Sequence, residues 1–161
     1  EDPATAAITR LAEVTPRVRE SAAASLRIRR AVGERSAIHV TYRFYVDDWA
    51  LHSHTAALDA LHELAGGTRI GLGARAYVQD AAFFYRDRYD GMPVLRTRDR
   101  TLGPMRTATL RAGFDLALSA RGDDGPRLVG EVAVLRLWFL DFTPQRERTA
   151  LTTSLGVTTA F

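Results

Sequence analysis

The stretch Leu151-Thr-Thr-Ser-Leu-Gly-Val-Thr-Thr-Ala-Phe161 alternates in polarity up to an aromatic residue. Counting back in twos from Phe161 gives a face that carries Thr159, Val157, Leu155 and Leu151, and the residues between them are small and mostly polar. Because successive side chains of a β-strand point to opposite faces, the pattern predicts a strand with one apolar and one polar face. An apolar face suits lipid and a polar face suits a wet lumen, so this ending is typical of the last strand of an outer-membrane β-barrel.

The composition allows one domain of 161 residues with 46% apolar content. No run approaches 18 apolar residues, which excludes a membrane-spanning helix, whereas a barrel strand needs only about 9 to 11 alternating residues. Zero Cys suits an oxidising envelope compartment. The chain starts without Met or a signal-like stretch, so it is either a processed product or a fragment of a longer protein, and we expect the fragment.

The charge pattern argues against nucleic-acid binding. All 22 basic residues are Arg and the formal net charge is only +3. A nucleic-acid-binding domain concentrates basic residues on one face, whereas these Arg residues are spread through every candidate strand. We therefore expect no nucleic-acid partner.

Alternation with period two predicts about seven antiparallel strands in a single domain, residues 1–161, with 1–16 as an outer loop or weak strand and 17–161 as a meander. The predicted strands are 18–32, 37–47, 55–64, 69–80, 107–119, 127–141 and 151–161. An amphipathic helix competes with the first of these because of its Ala content. In the sixth strand Glu131 and Arg136 have opposite parity, so its facing is open, and a β-bulge would reconcile them.

Seven is an odd number, whereas bacterial single-chain barrels have an even number of strands, at least eight. We therefore expect unpaired edges at 18–32 and 151–161, or further strands from a longer precursor or another chain. The fold class expected is an all-β antiparallel transmembrane barrel, of which this chain supplies part.

The lengths of the loops predict the orientation. Short periplasmic turns and longer external loops are usual, with the C-terminus periplasmic. The loops on the expected periplasmic side are 33–36, 65–68 and 120–127, and those on the external side are 47–54, 81–106 and 142–149. Aromatic residues near the external side predict an aromatic girdle. They are Tyr42, Phe44, Tyr45, Trp49, Tyr77, Phe83, Phe84, Tyr85, Trp138, Phe139 and Phe142. A soluble β-barrel or sandwich would show the same alternation with the faces reversed, so a soluble, secreted β-barrel that acts as a binding module stays an alternative.

A family resemblance comes from three motifs, Tyr42-Arg-Phe-Tyr45, Asp47-Asp-Trp49 and Ser53-His-Thr55. Their string resembles an uncharacterised family of bacterial outer-membrane proteins, the domain of unknown function 3570. The C-terminal half of that domain is also similar to the segment from Arg75 to Tyr85.

This resemblance covers residues 16–86 well and the rest loosely. Position 50 is Ala where the family pattern leads us to expect Gly, and position 52 is His. The resemblance implies an outer-membrane barrel longer than this chain, in its C-terminal portion, and it implies no activity.

The outer-rim motif is the first candidate site. It comprises Asp47, Asp48, Trp49, Ser53, His54, Thr55 and Tyr85. Carboxylates and an imidazole could activate water as in a protease, and His52 and His54 could ligate a metal ion. A structural clasp is the reading we favour, in which Asp47 or Asp48 pairs with His54 or with an Arg. We therefore expect no catalytic residue, no metal and no cofactor.

Charged residues on the predicted polar face form the second candidate site. They are Arg27, Arg29, Arg43, Asp59, Glu63, Arg75, Arg111 and Asp115. Ladders of both signs brace a narrow lumen or line a selective pore, and we expect a passage or a surface scaffold.

Lipid and lipopolysaccharide are the expected partners outside the lumen, because guanidinium groups pair well with phosphate. The arginines of the long loop that could do this are Arg86, Arg88, Arg96, Arg98, Arg100 and Arg106. The terminal signal formed by Phe161, Thr159, Val157 and Leu155 is expected to recruit the barrel-insertion machinery.

Overall fold

The computed structural model describes residues 12–118 and 125–159, in which seven antiparallel strands form one sheet in chain order. The strands are β1 (Ser21–Ala31), β2 (Ser36–Asp47), β3 (His52–Glu63), β4 (Arg69–Gln79), β5 (Met105–Ala117), β6 (Arg127–Phe139) and β7 (Glu147–Thr158). Within the described residues β1 pairs only with β2 and β7 only with β6, so the sheet is not closed. The all-β prediction with seven strands is confirmed. The helical alternative for the first segment is wrong, because β1 pairs with β2 along its whole length.

Three strands start three or more residues away from the predicted position. β1 starts at Ser21, three residues after the expected start. β3 starts at His52 because its first residues continue the ladder, with Ser53 opposite Tyr45, and this leaves a tight turn at 48–51. β7 starts at Glu147, which pairs with Trp138. Phe161 and most of the turn predicted before Pro126 lie outside the described residues.

Helices contribute little to the described chain. A 3-10 turn at Ala65–Gly67 joins β3 to β4, and a second one at Arg100–Leu102 precedes β5. No described segment forms a helix that is long and apolar enough to span a membrane.

The register separates apolar from polar side chains across the whole sheet. One row of paired residues runs through Ile28, Val40, Leu58, Ala74, Leu110, Val134 and Leu151. Since paired residues share a face, this row and its even-numbered neighbours in β1 to β6 form an apolar face. The opposite face, which we call the polar face, carries most of the charged and hydroxyl side chains.

From β3 to β6, side chains on the polar face are more buried than side chains on the apolar face. On the apolar face Leu72, Leu110 and Leu151 are about two-thirds exposed, at 65%, 66% and 67%. From β3 to β6, most residues of the polar face are half-buried or buried, while most of the apolar face is exposed. From β3 to β6 the sheet therefore shelters most of its polar side and leaves its apolar side uncovered, whereas β1 and almost all of β7 are exposed on both faces.

The facing of β6 is settled by its pairing. The register with β5 runs unbroken from Arg127 to Phe139, so the β-bulge suggested by the sequence is wrong. Glu131 lies on the polar face, and Arg136 lies on the apolar face near the end of the strand, where it forms a 2.7 Å salt bridge with Glu147. Glu147 neutralises the charge of Arg136 on the apolar face, so no change of register is needed to explain an Arg there.

The hydrophobic core lies at one end of the sheet. There the segments 12–20, 48–51, 80–104 and 140–146 pack together, and we call them the cap. Its centre is formed by Ala82, Phe84 and Tyr85, with Trp49, Leu95 and Leu102 packed around them. The strand residues buried next to the cap all lie on the polar face; they are Asp47, Ser53, Gln79, Thr107 and Phe139. The cap thus lies against the end of the polar face.

Candidate functional site

Asp47, the last residue of β2, organises the turn and the chain segment before β1. Its side chain is fully buried, and its Oδ2 atom accepts hydrogen bonds from Arg19 Nε at 2.8 Å and from Tyr45 Oη at 3.1 Å. Its Oδ1 atom accepts from the backbone N–H groups of Trp49 and Leu51 at 2.9 and 3.0 Å. A carboxylate with both oxygens occupied in this way holds a structure together and is poorly placed to activate a water molecule.

The remainder of the turn depends on Asp48 and Ala50. The Asp48 side chain accepts from the Glu20 N–H, and the Asp48 N–H donates to the Glu20 carbonyl, both at 3.1 Å. Ala50 has φ = 62°, a left-handed conformation that favours Gly. The tight turn therefore forms at the position where the resemblance led us to expect Gly, with the strain carried by Ala50.

Trp49 joins three parts of the cap. Its ring N–H donates to the Val18 carbonyl at 3.0 Å, and the Arg19 guanidinium lies 4.6 Å from its ring centroid. Its ring meets that of Phe84 edge-on at 5.1 Å, and its carbonyl accepts from the Phe83 N–H. The pairing of a rim carboxylate with an Arg is confirmed for Asp47 and Arg19.

The Ser-His-Thr motif is divided between the two faces. Ser53 and Thr55 lie on the polar face, whereas His52 and His54 lie on the apolar face. His54 Nδ1 lies 2.6 Å from Tyr42 Oη, and its ring packs against Phe44, so it does not pair with Asp47 or Asp48 as expected. In residues 12–118 and 125–159, no three His, Cys, Asp or Glu side chains are positioned to hold a metal ion.

The predicted aromatic girdle is divided in the same way. Tyr42, Phe44 and Trp138 lie on the apolar face at the cap end. Three other members, Tyr45, Tyr77 and Phe139, lie on the polar face. Trp49, Phe84 and Tyr85 pack inside the cap. Parity explains this outcome, because neighbouring residues of one strand cannot share a face.

Tyr85 is 1% exposed and joins the long loop to the loop before β7. Its hydroxyl donates to the Asp141 carbonyl. Burial and the nearby Asp141 charge raise the pKa of Tyr85 to about 12, which keeps the hydroxyl a donor at neutral pH. A Cβ atom at Gly103 would lie 2.6 Å from Tyr85 Cζ, so Gly103 makes room for this ring.

Asp87 makes the second connection between these loops. Its carboxylate accepts from the hydroxyl and the N–H of Thr143 and lies 3.5 Å from Arg98 Nη2. The bond from the Thr143 hydroxyl holds the pKa of Asp87 below its ordinary value and outweighs burial, which raises it. The Asp87 carboxylate therefore links the long loop to the 140–146 loop.

The arginines of the long loop mostly bond within the cap. Arg96 donates to the carbonyls of Ala12 and Pro93, and Arg100 donates to Gln145. Arg86 donates to the Tyr85 carbonyl, and Arg98 faces Asp87. Arg106 lies on the apolar face of β5. Most of the guanidinium groups considered for lipopolysaccharide thus have partners within the described protein.

All eight charged residues of the second candidate site lie on the polar face; they are Arg27, Arg29, Arg43, Asp59, Glu63, Arg75, Arg111 and Asp115. The half of this face nearest the 3-10 turn at Ala65–Gly67 is crossed by salt bridges. Arg111 lies 2.7 Å from Asp59 Oδ1 and 3.8 Å from Glu131 Oε2. Arg127 Nε lies 2.6 Å from Asp115 Oδ1, and Arg69 Nε lies 3.5 Å from Glu63 Oε2. We call this set the braced belt.

Gly73 allows the salt bridge between Asp59 and Arg111, which reaches across the intervening strand β4. Asp59 on β3 and Arg111 on β5 meet across β4 at the position of Gly73. A Cβ atom there would lie 2.4 Å from Asp59 Oδ1 and 2.5 Å from Arg111 Nε. A residue without a side chain is therefore required for the bridge to cross β4.

The sequence pattern did not identify several residues of these sites. Arg127 and Glu131 have the parity of the polar face, so the correct facing of β6 would have identified them. Arg19 and Thr143 lie in loops, where side-chain direction has no period that a sequence can reveal.

A model of the family described as "Protein of unknown function (DUF3570)" matches residues 3–121, well over half of the chain. Neither a curated protein nor a solved structure matches the sequence significantly. The match extends past the 16–86 segment that carries the motifs and through β5. On this evidence the chain belongs to the DUF3570 family of proteins of unknown function.

Proposed function

We propose that the chain forms part of the wall of a bacterial outer-membrane β-barrel that acts as a passage or a surface scaffold. One observation carries the proposal: from β3 to β6 the sheet exposes its apolar face and shelters most of its polar face. A soluble domain rarely exposes a contiguous apolar patch of this kind, whereas a barrel places it in lipid and fills its interior with polar groups.

The orientation follows from the two ends of the sheet. The cap occupies the external side, and the turns at 32–35 and 64–68 face the periplasm. The free edges of β1 and β7 then pair with further strands of a longer precursor, because an open sheet edge is not tolerated within a membrane. Partners are membrane lipid, lipopolysaccharide at the outer rim, and the barrel-insertion machinery that reads the segment ending at Phe161.

The rim supports a structural role more than an enzymatic one. Asp47 is buried and hydrogen-bonded through both carboxylate oxygens, and His54 lies on the opposite face. A protease-like Asp/His pair would need both groups within reach of one water molecule. We infer that the rim motif is a structural clasp and not an enzymatic site.

Two cysteine substitutions in the full-length protein test the proposal, and residues 1–161 contain no other Cys that a label could reach. Leu110→Cys places a label on the apolar face and Thr109→Cys places it on the polar face. In liposomes, a lipid-borne quencher should reduce the fluorescence of a label at 110 and leave a label at 109 nearly unchanged. A protein that stays monodisperse without detergent, with neither label quenched, is the soluble binding module instead.

A further inference from the structure

The polar face divides into two belts along the strand direction. The braced belt, nearer the periplasmic turns, contains four carboxylates, Asp59, Glu63, Asp115 and Glu131, each within salt-bridge distance of an Arg. Nearer the cap, two register rows contain no carboxylate at all. The first row is Ser25, Arg43, Thr55, Tyr77, Thr107, Leu137 and Arg148, and the second is Arg27, Thr41, Ala57, Arg75, Thr109, Leu135 and Ala150. We call these two rows the open arginine belt.

The arginines of this belt have no acidic partner in the part of the chain that the structure describes. No described carboxylate lies within 4.0 Å of Arg27, Arg43, Arg75 or Arg148. Arg43 packs near the ring of Tyr45, at 5.8 Å, which leaves its charge in place. All four side chains are exposed. The belt therefore presents four positive charges and a series of hydroxyl groups.

This separation of charge is not what bracing alone requires. The braced belt shows that the sheet can place a carboxylate beside an Arg one or two strands away. A restricted space lined by one sign of charge concentrates the field and raises the local concentration of counter-ions. Rings of Arg or Lys are the usual lining of anion-selective pores.

From this separation we propose that the open arginine belt makes the passage selective for small anions. The inference rests on the proposed barrel and specifies its solute class. Arg27 and Arg43 are diagonal neighbours on adjacent strands, roughly 7–8 Å apart, and Arg27 and Arg75 are three strands apart, roughly 14 Å at the spacing of a β-sheet. The arginines thus spread positive charge across the belt, which attracts anions along a path.

Reversal potentials in planar bilayers test this inference on the full-length protein in a KCl gradient. The parent should favour chloride over potassium. The triple variant R27Q/R43Q/R75Q should lower the chloride-to-potassium permeability ratio by about threefold or more, and the effect should shrink as ionic strength rises. Arg75→Glu alone should move the ratio in the same direction, which guards against a folding defect of the triple variant.

The matched control is R30Q/R106Q, which makes the same substitution in β1 and β5 on the apolar face. It should leave the permeability ratio unchanged. A parent that inserts in lipid but conducts no ions, or whose ratio is the same in every variant, overturns the inference and leaves the barrel standing. Loss of the lipid quenching at position 110 would instead overturn the barrel itself.

Discussion

Phe84 and Tyr85 in the cap are 4% and 1% exposed, whereas Leu110 and Leu151 on the apolar face of the sheet are 66% and 67% exposed. In the cap, apolar rings pack together and buried polar groups have hydrogen-bond partners, as in a water-soluble core. On the apolar face of the sheet, a few side-chain contacts such as Tyr42–His54 and Arg136–Glu147 supplement the backbone ladders, and many large apolar side chains stay exposed. This difference teaches that the two regions are stabilised by different surroundings. The cap can be stable in water, and the apolar face needs a cover, which we propose is lipid.

The largest expected effect on stability comes from a charge introduced on the apolar face. Leu151→Arg should lower the free energy of unfolding in a bilayer by about 2–4 kcal/mol, because a charge would enter lipid near the middle of β7. The neighbouring Thr152→Arg, on the polar face, should change it by less than about 1 kcal/mol. Unfolding by denaturant in lipid vesicles measures both. Equal small effects would mean that water covers both faces.

Inside the cap, the next effect distinguishes two adjacent carboxylates. Asp47→Ala should cost about 2–3 kcal/mol of stability, because it leaves Arg19 and the N–H groups of Trp49 and Leu51 without their acceptor. Asp48→Ala removes one exposed hydrogen bond, to the Glu20 N–H, and should cost about 1 kcal/mol or less. Thermal unfolding in detergent compares the two. A larger loss for Asp48→Ala would contradict the role assigned to Asp47.

A smaller effect should appear only in acid and only in the cap. The pKa of Asp87 is lower in the folded protein than its ordinary value of 3.8, so its stabilising effect is complete above that pH and is lost as the pH falls through the lowered value. Hydrogen exchange of the 140–146 loop, corrected for intrinsic rates, should therefore accelerate below about pH 4. In Asp87→Asn the loop should exchange faster at neutral pH and lose this acid dependence. A parent loop with constant protection down to pH 2 would contradict the assignment.

The smallest effect is a gain of stability at the turn between β2 and β3. Ala50→Gly should stabilise the protein by about 1 kcal/mol or less, because Gly adopts positive φ without the steric cost that Ala bears. Ala65→Gly, in the turn after β3, provides a control, since Ala65 has no positive φ and should lose stability or stay unchanged. Denaturant midpoints of the two variants and the parent decide the point. Destabilisation by Ala50→Gly would mean that the turn is not strained.

The sequence by itself determined which residues share a face. Because side chains of a strand alternate strictly, the parity of Leu110 or Arg75 assigns its face without any knowledge of its neighbours, and the Gly-containing turns limit where strands end. Parity was insufficient in β6, which is apolar on both faces, and pairing with β5 had to decide it.

The tertiary structure alone decided the partners. Arg19 meets Asp47 across 28 residues and Tyr85 meets Asp141 across 56, and loops have no period from which such contacts could be read. It also decided that Asp59, Glu63, Asp115 and Glu131 gather in the braced belt, because which charges meet depends on the register between strands. The alternation of side chains assigns each residue to a face. Its position along the strand direction, relative to residues of neighbouring strands, depends on the register, which the turns set.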